Sequence, residues 1–137
     1  MKIKPILERD DAARILDQAR AEAKANNWSV TIAIVDDGGH LLALERADGA
    51  APISALIAVE KARTSALGRR PSKDYEDMIN GGRTAFLSAP LMGTLEGGVP
   101  VVIEGQVVGA VGVSGVKADQ DAQVAAAGAK ALQLAAA

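Results

Sequence analysis

Residues 30–46 read VTIAIVDDGGHLLALER, and this segment contains the main evidence for the class of fold. Its first part, residues 30–35, alternates Val and Ile with Thr, Ala and Val, a composition typical of a β-strand. The four residues that follow, 36–39, are turn formers, because glycine accepts positive φ without steric cost. His40 to Arg46 then forms the return strand. The segment therefore predicts an antiparallel β-hairpin.

Helical patterns lie on both sides of this hairpin. Apolar residues recur at i, i+3, i+4, i+7 and i+11 within residues 7–26, which predicts an amphipathic helix. After the hairpin, Pro52 suits the first turn of a second helix, which we expect to run to about Leu67 and to stop at Gly68. Residues 69–99 are rich in glycine and proline and predict only a short helical piece near residues 75–79.

A second hairpin and a last helix complete the predicted order. Strands are expected at residues 100–103 and 106–113, around the tight turn Glu104-Gly105, and a final helix at about 118–134. Because two hairpins need no crossover connection, the sheet should be antiparallel, with the helices packed on it. The sequence predicts one α+β domain over residues 1–137, in the order αββα–ββα.

Composition excludes several classes of protein. The 137 residues include no cysteine and one histidine, which excludes a disulfide framework, a cysteine nucleophile, Cys-ligated zinc and a multi-histidine metal site within one chain. A net charge of −2 and 2% aromatic residues argue against nucleic acid as a partner. We found no apolar run long enough for a membrane span and no secretory signal, so a cytoplasmic protein is expected.

The polar candidates for a site are Asp36, His40, Arg46, Asp48 and Lys61. Asp36 either caps backbone N–H groups of its own turn or contacts a ligand. His40, the only imidazole, is either an ordinary strand residue or an acid/base group or axial ligand. Arg46 and Asp48 form either a solvated ion pair or a site in which the guanidinium binds a carboxylate.

Lys61 and a set of glycines are the remaining candidates. Lys61 lies two residues beyond Val59 of the expected apolar stripe, roughly 200° around the helix, which predicts an exposed position or, in an oligomer, an interface or pocket wall. Gly97 and Gly98 precede the second hairpin. Three more glycines interrupt its return strand, which predicts a bulge or the close approach of a helix or a flat ligand. No nucleotide-binding glycine pattern is present.

Several motifs together resemble one family. They are VDDGGHLLA at 35–43, RADG at 46–49, EKARTSA at 60–66, GGVPVV at 97–102, GQVVGAVGVSG at 105–115 and QD at 120–121. In this order they cover essentially the whole chain and resemble the GlcG/HbpS family. The resemblance implies a profilin-like antiparallel sheet, a homo-oligomer (an octamer or tetramer), and heme binding or a relation to heme degradation. A similar domain accompanies cobalamin adenosyltransferases of the PduO type.

The resemblance also assigns candidate roles. By position, the ligand-binding set that matches the family's pattern is Asp36, His40, Arg46, Asp48, Lys61, Gly97 and Gly98. If the ligand is a tetrapyrrole, Arg46 and Lys61 would meet its propionates, and His40 would be the axial ligand and the only metal ligand. The chain departs from the family at Ala47, where methionine is frequent, and in the insert-like stretch 71–83; both differences are expected to reshape the pocket.

Two functions fit these features, and whether the protein is an enzyme stays open. The first is an oligomer that binds heme or a related tetrapyrrole without catalysis. The alternative is a cytoplasmic enzyme or accessory protein of a catabolic operon, acting by acid/base chemistry on a small organic acid or ring-cleavage product. In that case Arg46 would anchor a carboxylate, and His40, Asp48 and Lys61 are the candidate catalytic groups. Alanine-rich helices bury little area within one chain, which also favours oligomerisation.

Overall fold

A computed structural model describes residues 1–135 of the chain. Its elements are α1 (Arg9–Ala25), β1 (Thr31–Asp36), β2 (Leu41–Arg46), α2 (Ser54–Gly68), α3 (Lys73–Asn80), a 3-10 helix (Thr84–Ser88), β3 (Gly98–Ile103), β4 (Gln106–Ser114), α4 (Ala118–Ala129) and α5 (Ala131–Ala135). The predicted α+β class and the αββα–ββα order are confirmed, with α3 and the 3-10 helix lying in the irregular region between α2 and β3.

The four strands form one antiparallel sheet in the order β2-β1-β4-β3. The two hairpins meet along β1 and β4, whose register runs from Thr31 opposite Ser114 to Asp36 opposite Gly109. β2 and β3 are therefore the edge strands. The antiparallel arrangement predicted from two hairpins is confirmed.

Each face of the sheet is covered by helices. On one face, Ile32 and Ile34 belong to the core that includes buried residues of α1 and α4. On the other face, Ala33 and Val35 pack with the alanines of α2. A Cβ added to Gly112 would lie 2.0 Å from the carbonyl oxygen of Ala58, so α2 rests directly on the backbone of β4. The predicted close approach at the glycines of this strand is thus made, at Gly112, by a helix of the chain itself.

Several boundaries differ from those expected. The last helix is divided, because α4 ends at Ala129 and α5 begins at Ala131. β3 begins two residues earlier than expected, since Gly98 already pairs with Gly112. α2 extends through Gly68, and Arg69 rather than Gly68 adopts the left-handed conformation beyond it, with φ 59°. Among the helices of residues 1–135, none is long and apolar enough to cross a membrane.

Candidate functional site

The structure divides the predicted site residues between two ends of the sheet. Asp36 and His40 lie at the turn that joins β1 to β2, whereas Arg46 ends β2 at the opposite end. Arg46 lies six residue steps beyond His40 along extended chain, or about 20 Å at the usual rise per residue. These side chains therefore do not form one cluster within a single chain.

The hairpin turn is held by Asp36. Its Oδ1 accepts hydrogen bonds from the backbone N–H groups of Gly38 and His40, each at 2.9 Å. This is the capping role that the turn sequence predicts. The His40 side chain is exposed, and no hydrogen bond to its imidazole is found within residues 1–135. No group within residues 1–135 therefore orients the imidazole, which is open to solvent or to another molecule.

Arg46 and Asp48 line an open cleft of about 380 Å³ between the end of α1 and the end of β2. We call it the α1–β2 cleft. Its polar and aromatic wall consists of Arg20, Lys24, Trp28, Glu45, Arg46 and Asp48. Ala47 also lines it, at the position where the family resemblance leads us to expect methionine. The small side chain leaves space that a methionine would partly fill.

One wall of the α1–β2 cleft is a fixed ion pair. The Arg20 guanidinium donates to both carboxylate oxygens of Glu45, at 2.7 and 2.8 Å, and also to Asp17 at 2.8 Å. These hydrogen bonds raise the pKa of Arg20 above its ordinary value. The hydrogen bond from Arg20 lowers the pKa of Glu45, with burial acting in the opposite direction. Arg20 is therefore committed to joining α1 to β2.

The other two cations of the cleft are not committed in this way. Within residues 1–135, no ion pair involves Lys24 or Arg46. The solvated Arg46–Asp48 pair considered from the sequence is accordingly not formed. Neither Lys24 nor Trp28 was predicted as a site residue, because Lys24 belongs to the preceding helix and Trp28 to the loop before β1, and neither is part of a recognised motif.

The prediction that Lys61 is exposed is wrong. Lys61 is 4% exposed, and its Nζ donates to the carbonyl oxygen of Val113 at 3.0 Å and to Oδ2 of Asp121 at 3.1 Å. The expected stripe through Val59 is not the fully buried face of α2. Ala58, Lys61, Ala62 and Ser65 are buried, and Lys61 shares with Ala58 and Ala62 the face that rests on β4. The segment before β3 also lies close to α2, because a Cβ added to Gly93 would lie 2.3 Å from the backbone of Glu60.

Gly97 and Gly98 provide room for Lys61. A Cβ added to Gly97, whose φ is 134°, would lie 2.8 Å from Lys61 Nζ, and one added to Gly98 would lie 2.2 Å from the Lys61 carbonyl oxygen. Ser72 supports this contact, since its Oγ accepts the N–H of Gly98 at 2.8 Å. Lys61, Gly97 and Gly98 do not line the α1–β2 cleft.

Asp121, near the start of α4, was seen in the sequence only as part of a family motif. It is 3% exposed, and its Oδ1 accepts the N–H of Val116 at 3.1 Å. Burial raises the pKa of Asp121, and the neighbouring Lys61 ammonium acts against this effect. The Lys61–Asp121 pair thus connects α2 to α4 past the end of the sheet, as a buried structural contact.

The insert-like stretch does not reach the cleft. Its helix α3 contains the buried Tyr75, whose ring stacks on Phe86 with centroids 5.0 Å apart. Tyr75 also packs against Gly68 at the end of α2. Within residues 1–135, no group of three or more His, Cys, Asp or Glu side chains is placed to hold a metal ion.

These features define an α+β protein with a four-stranded antiparallel sheet and a charged, small-molecule-sized cleft beside one end of an edge strand. A family model described as "Haem degrading protein HbpS-like" matches residues 7–130. The chain therefore belongs to the HbpS-like family, as the order of its motifs indicated.

Individual relatives agree with this assignment. Protein GlcG of Escherichia coli (strain K12) is 62% identical over 114 residues, which cover 83% of this chain and 85% of GlcG. The crystal structure of a double mutant of HbpS from Streptomyces reticuli is similar with a TM-score of 0.85 at 30% identity, covering 96% of this chain and 90% of that one. The crystal structure of a PduOC:heme complex has a TM-score of 0.81 at 24% identity and covers 93% and 95% of the two chains, a likeness that shows the fold.

Proposed function

We propose that this protein is a cytoplasmic homo-oligomer that binds heme or a related tetrapyrrole through its carboxylates. The observation that carries the proposal is the position of Arg46 on the wall of the α1–β2 cleft. The Arg46 guanidinium forms no ion pair within residues 1–135, and the description of the family refers to heme. Arginine presents a planar fork of donors that matches a carboxylate, and propionates are the carboxylates of heme. A protein of this fold crystallised as a PduOC:heme complex, which supports the choice of ligand.

The residues of one chain fit part of a heme. The α1–β2 cleft offers cations for propionates and an aromatic side chain, Trp28, for the edge of the ring. His40, the one conventional axial ligand, lies about 20 Å away along β2, too far to serve the same heme from the same chain. If His40 is the axial ligand, it must therefore come from a second copy of the chain. Heme itself would supply redox or oxygen chemistry when bound.

Oligomerisation is supported by exposed apolar side chains on neighbouring elements. They are Leu41, Leu42 and Leu44 on β2, and Ile53, Leu56 and Leu67 on or beside α2. Leu56, in the first turn of α2, is 71% exposed, and contiguous exposed apolar side chains mark interaction surfaces. Because β2 is an edge strand, its unpaired backbone groups are also available to another chain. We propose a tetramer or octamer.

The test is a titration of the purified protein with hemin, followed by the Soret band, with native mass spectrometry to count subunits and ligands. Saturable binding is expected, weakened about tenfold or more by Arg46→Ala, the effect of losing one charge-assisted hydrogen bond. His40→Ala should change the Soret position if a second copy supplies the axial ligand. Arg83→Ala, an exposed arginine in the insert, is the matched control. Binding that does not saturate would contradict the proposal.

A second candidate function rests on the presence of Arg46 and Asp48 along the same cleft. Arg46 would anchor the carboxylate of a small organic acid while Asp48 accepts a proton, as in acid/base catalysis in a catabolic pathway. His40 is too distant to join Asp48 within one chain, and Lys61 is buried in its pair with Asp121. Asp48 is thus the catalytic candidate that remains at the cleft, and loss of substrate turnover in Asp48→Asn is the test.

A further inference from the structure

We infer that the α1–β2 cleft is a carboxylate site with an aromatic wall, in which Lys24 and Trp28 act together with Arg46. The inference rests on the proposed function only for the identity of the natural ligand. The ligand class that fits such a site is a carboxylate attached to a planar apolar group. A tetrapyrrole propionate and a free aromatic acid both satisfy it.

The charges of the cleft favour an anion. Arg20 is engaged in ion pairs with both Glu45 and Asp17. Lys24 and Arg46 form no ion pair within residues 1–135, and Asp48 is the other carboxylate that lines the cleft. The cleft therefore presents two uncommitted cations on a chain whose formal net charge is −2. Such a contrast concentrates anionic ligands at the cleft.

The apolar part of the cleft favours a planar group. Trp28 is half-buried and packs against the core beneath α1, and the buried Val30 and Ile32 contribute apolar surface below it. A volume of about 380 Å³ lies within the range of small-molecule sites. Aromatic side chains at such sites provide a large contact area with few rotatable bonds. A ligand that was only a small hydrophilic anion would leave this surface uncovered.

The cleft is also preorganised. Trp28 is fixed by the end of α1, because Asn27 adopts a left-handed conformation with φ 59° and the N–H of Trp28 donates to the carbonyl oxygen of Ala23 at 2.9 Å. The Arg20–Glu45 pair joins α1 to β2. Lys24 in the last turn of α1 and Trp28 in the loop after it therefore have backbone positions that are fixed relative to Arg46 before a ligand binds, which lowers the entropy cost of binding.

Trp28 is the only tryptophan, so its single indole N–H signal in an NMR spectrum reports on this cleft alone. The experiment follows that signal, and measures Kd by calorimetry, for two pairs of probes. The first pair is 2-naphthoate and 2-naphthamide. The second is metal-free protoporphyrin IX and its dimethyl ester. Within each pair only the carboxylate changes, and the two pairs separate a free acid from a tetrapyrrole as its source.

We expect at least one acid to shift the indole signal saturably and to bind about tenfold or more tightly than its uncharged partner. Arg46→Ala and Lys24→Ala should each weaken that acid several-fold, Trp28→Leu should weaken it in calorimetry, and Trp28→Phe should restore much of the loss. Arg83→Ala should leave Kd unchanged. Equal affinity for acid and uncharged partner, or a normal Kd in Arg46→Ala, would overturn the inference.

The outcomes also separate this inference from the proposed function. Saturable hemin binding that leaves the indole signal and the Arg46→Ala variant unaffected would retain heme as the ligand and refute the cleft as its site. Saturable, Arg46-dependent binding of 2-naphthoate without binding of hemin or protoporphyrin IX would refute the proposed function and support the cleft as a site for free acids.

Discussion

We predict that removing one partner of the Lys61–Asp121 ion pair has the largest effect of any single substitution on the stability of this protein. Both side chains are at most 5% exposed, and the atoms are 3.1 Å apart. Removing one partner of a buried ion pair leaves an uncompensated charge and costs about 3–5 kcal/mol. Lys61→Met keeps the length and apolar stem of the side chain, so the loss would come from the charge rather than from a cavity. Domains of this kind have a total stability of about 5–15 kcal/mol.

The same variant has a predictable pH dependence. Burial already raises the pKa of Asp121, and removal of the Lys61 ammonium, which opposes that effect, should raise this pKa further. A carboxyl whose pKa is higher in the folded than in the unfolded state takes up a proton more readily when folded. The free energy of unfolding of Lys61→Met should therefore increase, relative to wild type, as the pH falls from neutrality through the folded-state pKa toward about 4.

Urea unfolding of four proteins tests this reasoning: wild type, Lys61→Met, Asp121→Asn and the double variant. In the double variant the side-chain amide oxygen at position 121 can still accept the N–H of Val116. Replacing both charges should therefore cost less than the sum of the single losses, with a coupling of about 2 kcal/mol or more. Lys24→Met, at an exposed lysine of α1, is the control and should change stability by about 0.5 kcal/mol or less. Additive single losses, or a loss below about 1 kcal/mol in Lys61→Met, would refute a buried ion pair at this place.

Two further variants address the cleft wall and the glycine contact. Glu45→Gln should lower the free energy of unfolding by about 1 kcal/mol at pH 7, because it weakens the bidentate ion pair with Arg20. Since the folded-state pKa of Glu45 is lowered, the difference in stability between wild type and Glu45→Gln should decrease as acid protonates the wild-type carboxyl. An unchanged difference in stability at about pH 3 would contradict this prediction. Gly98→Ala should cost about 2 kcal/mol or more by calorimetry, since its Cβ would lie 2.2 Å from the Lys61 carbonyl oxygen. Gly38→Ala, whose nearest neighbour would be 3.3 Å away on the exposed His40 imidazole, is its control and should cost less than half as much.

Strands and turns were predictable because their causes are local. The alternation of residues 30–35 and the turn at 36–39 specify a hairpin without reference to any other part of the chain, and the structure places β1 and β2 there. The second hairpin follows from the same signals around Glu104-Gly105. Two hairpins restrict the sheet to antiparallel pairing, so the fold class followed. The break at Lys130 did not, because nothing in the local pattern distinguishes it from a continuous alanine-rich helix.

The candidate site was predictable only in part. Asp36 was correctly interpreted as a residue that can cap its turn, since a capping carboxylate acts on backbone groups within four residues. Arg46 and Asp48 do lie beside a cleft. Their neighbours Lys24 and Trp28 come from α1 and from the loop after it, and proximity between segments depends on packing rather than on sequence spacing.

The strands, the main helices, their order, the antiparallel sheet and the family follow from the sequence, because periodicity, turn chemistry and ordered motifs are properties of neighbouring residues. Tertiary packing, by contrast, sets which distant side chains meet. It buried Lys61 against Asp121, 60 residues away in the chain, because Lys61 lies on the face of α2 that rests on β4. It separated His40 from Arg46, because an extended strand holds its two ends apart. It brought Trp28 to Arg46, because α1 ends beside the end of β2.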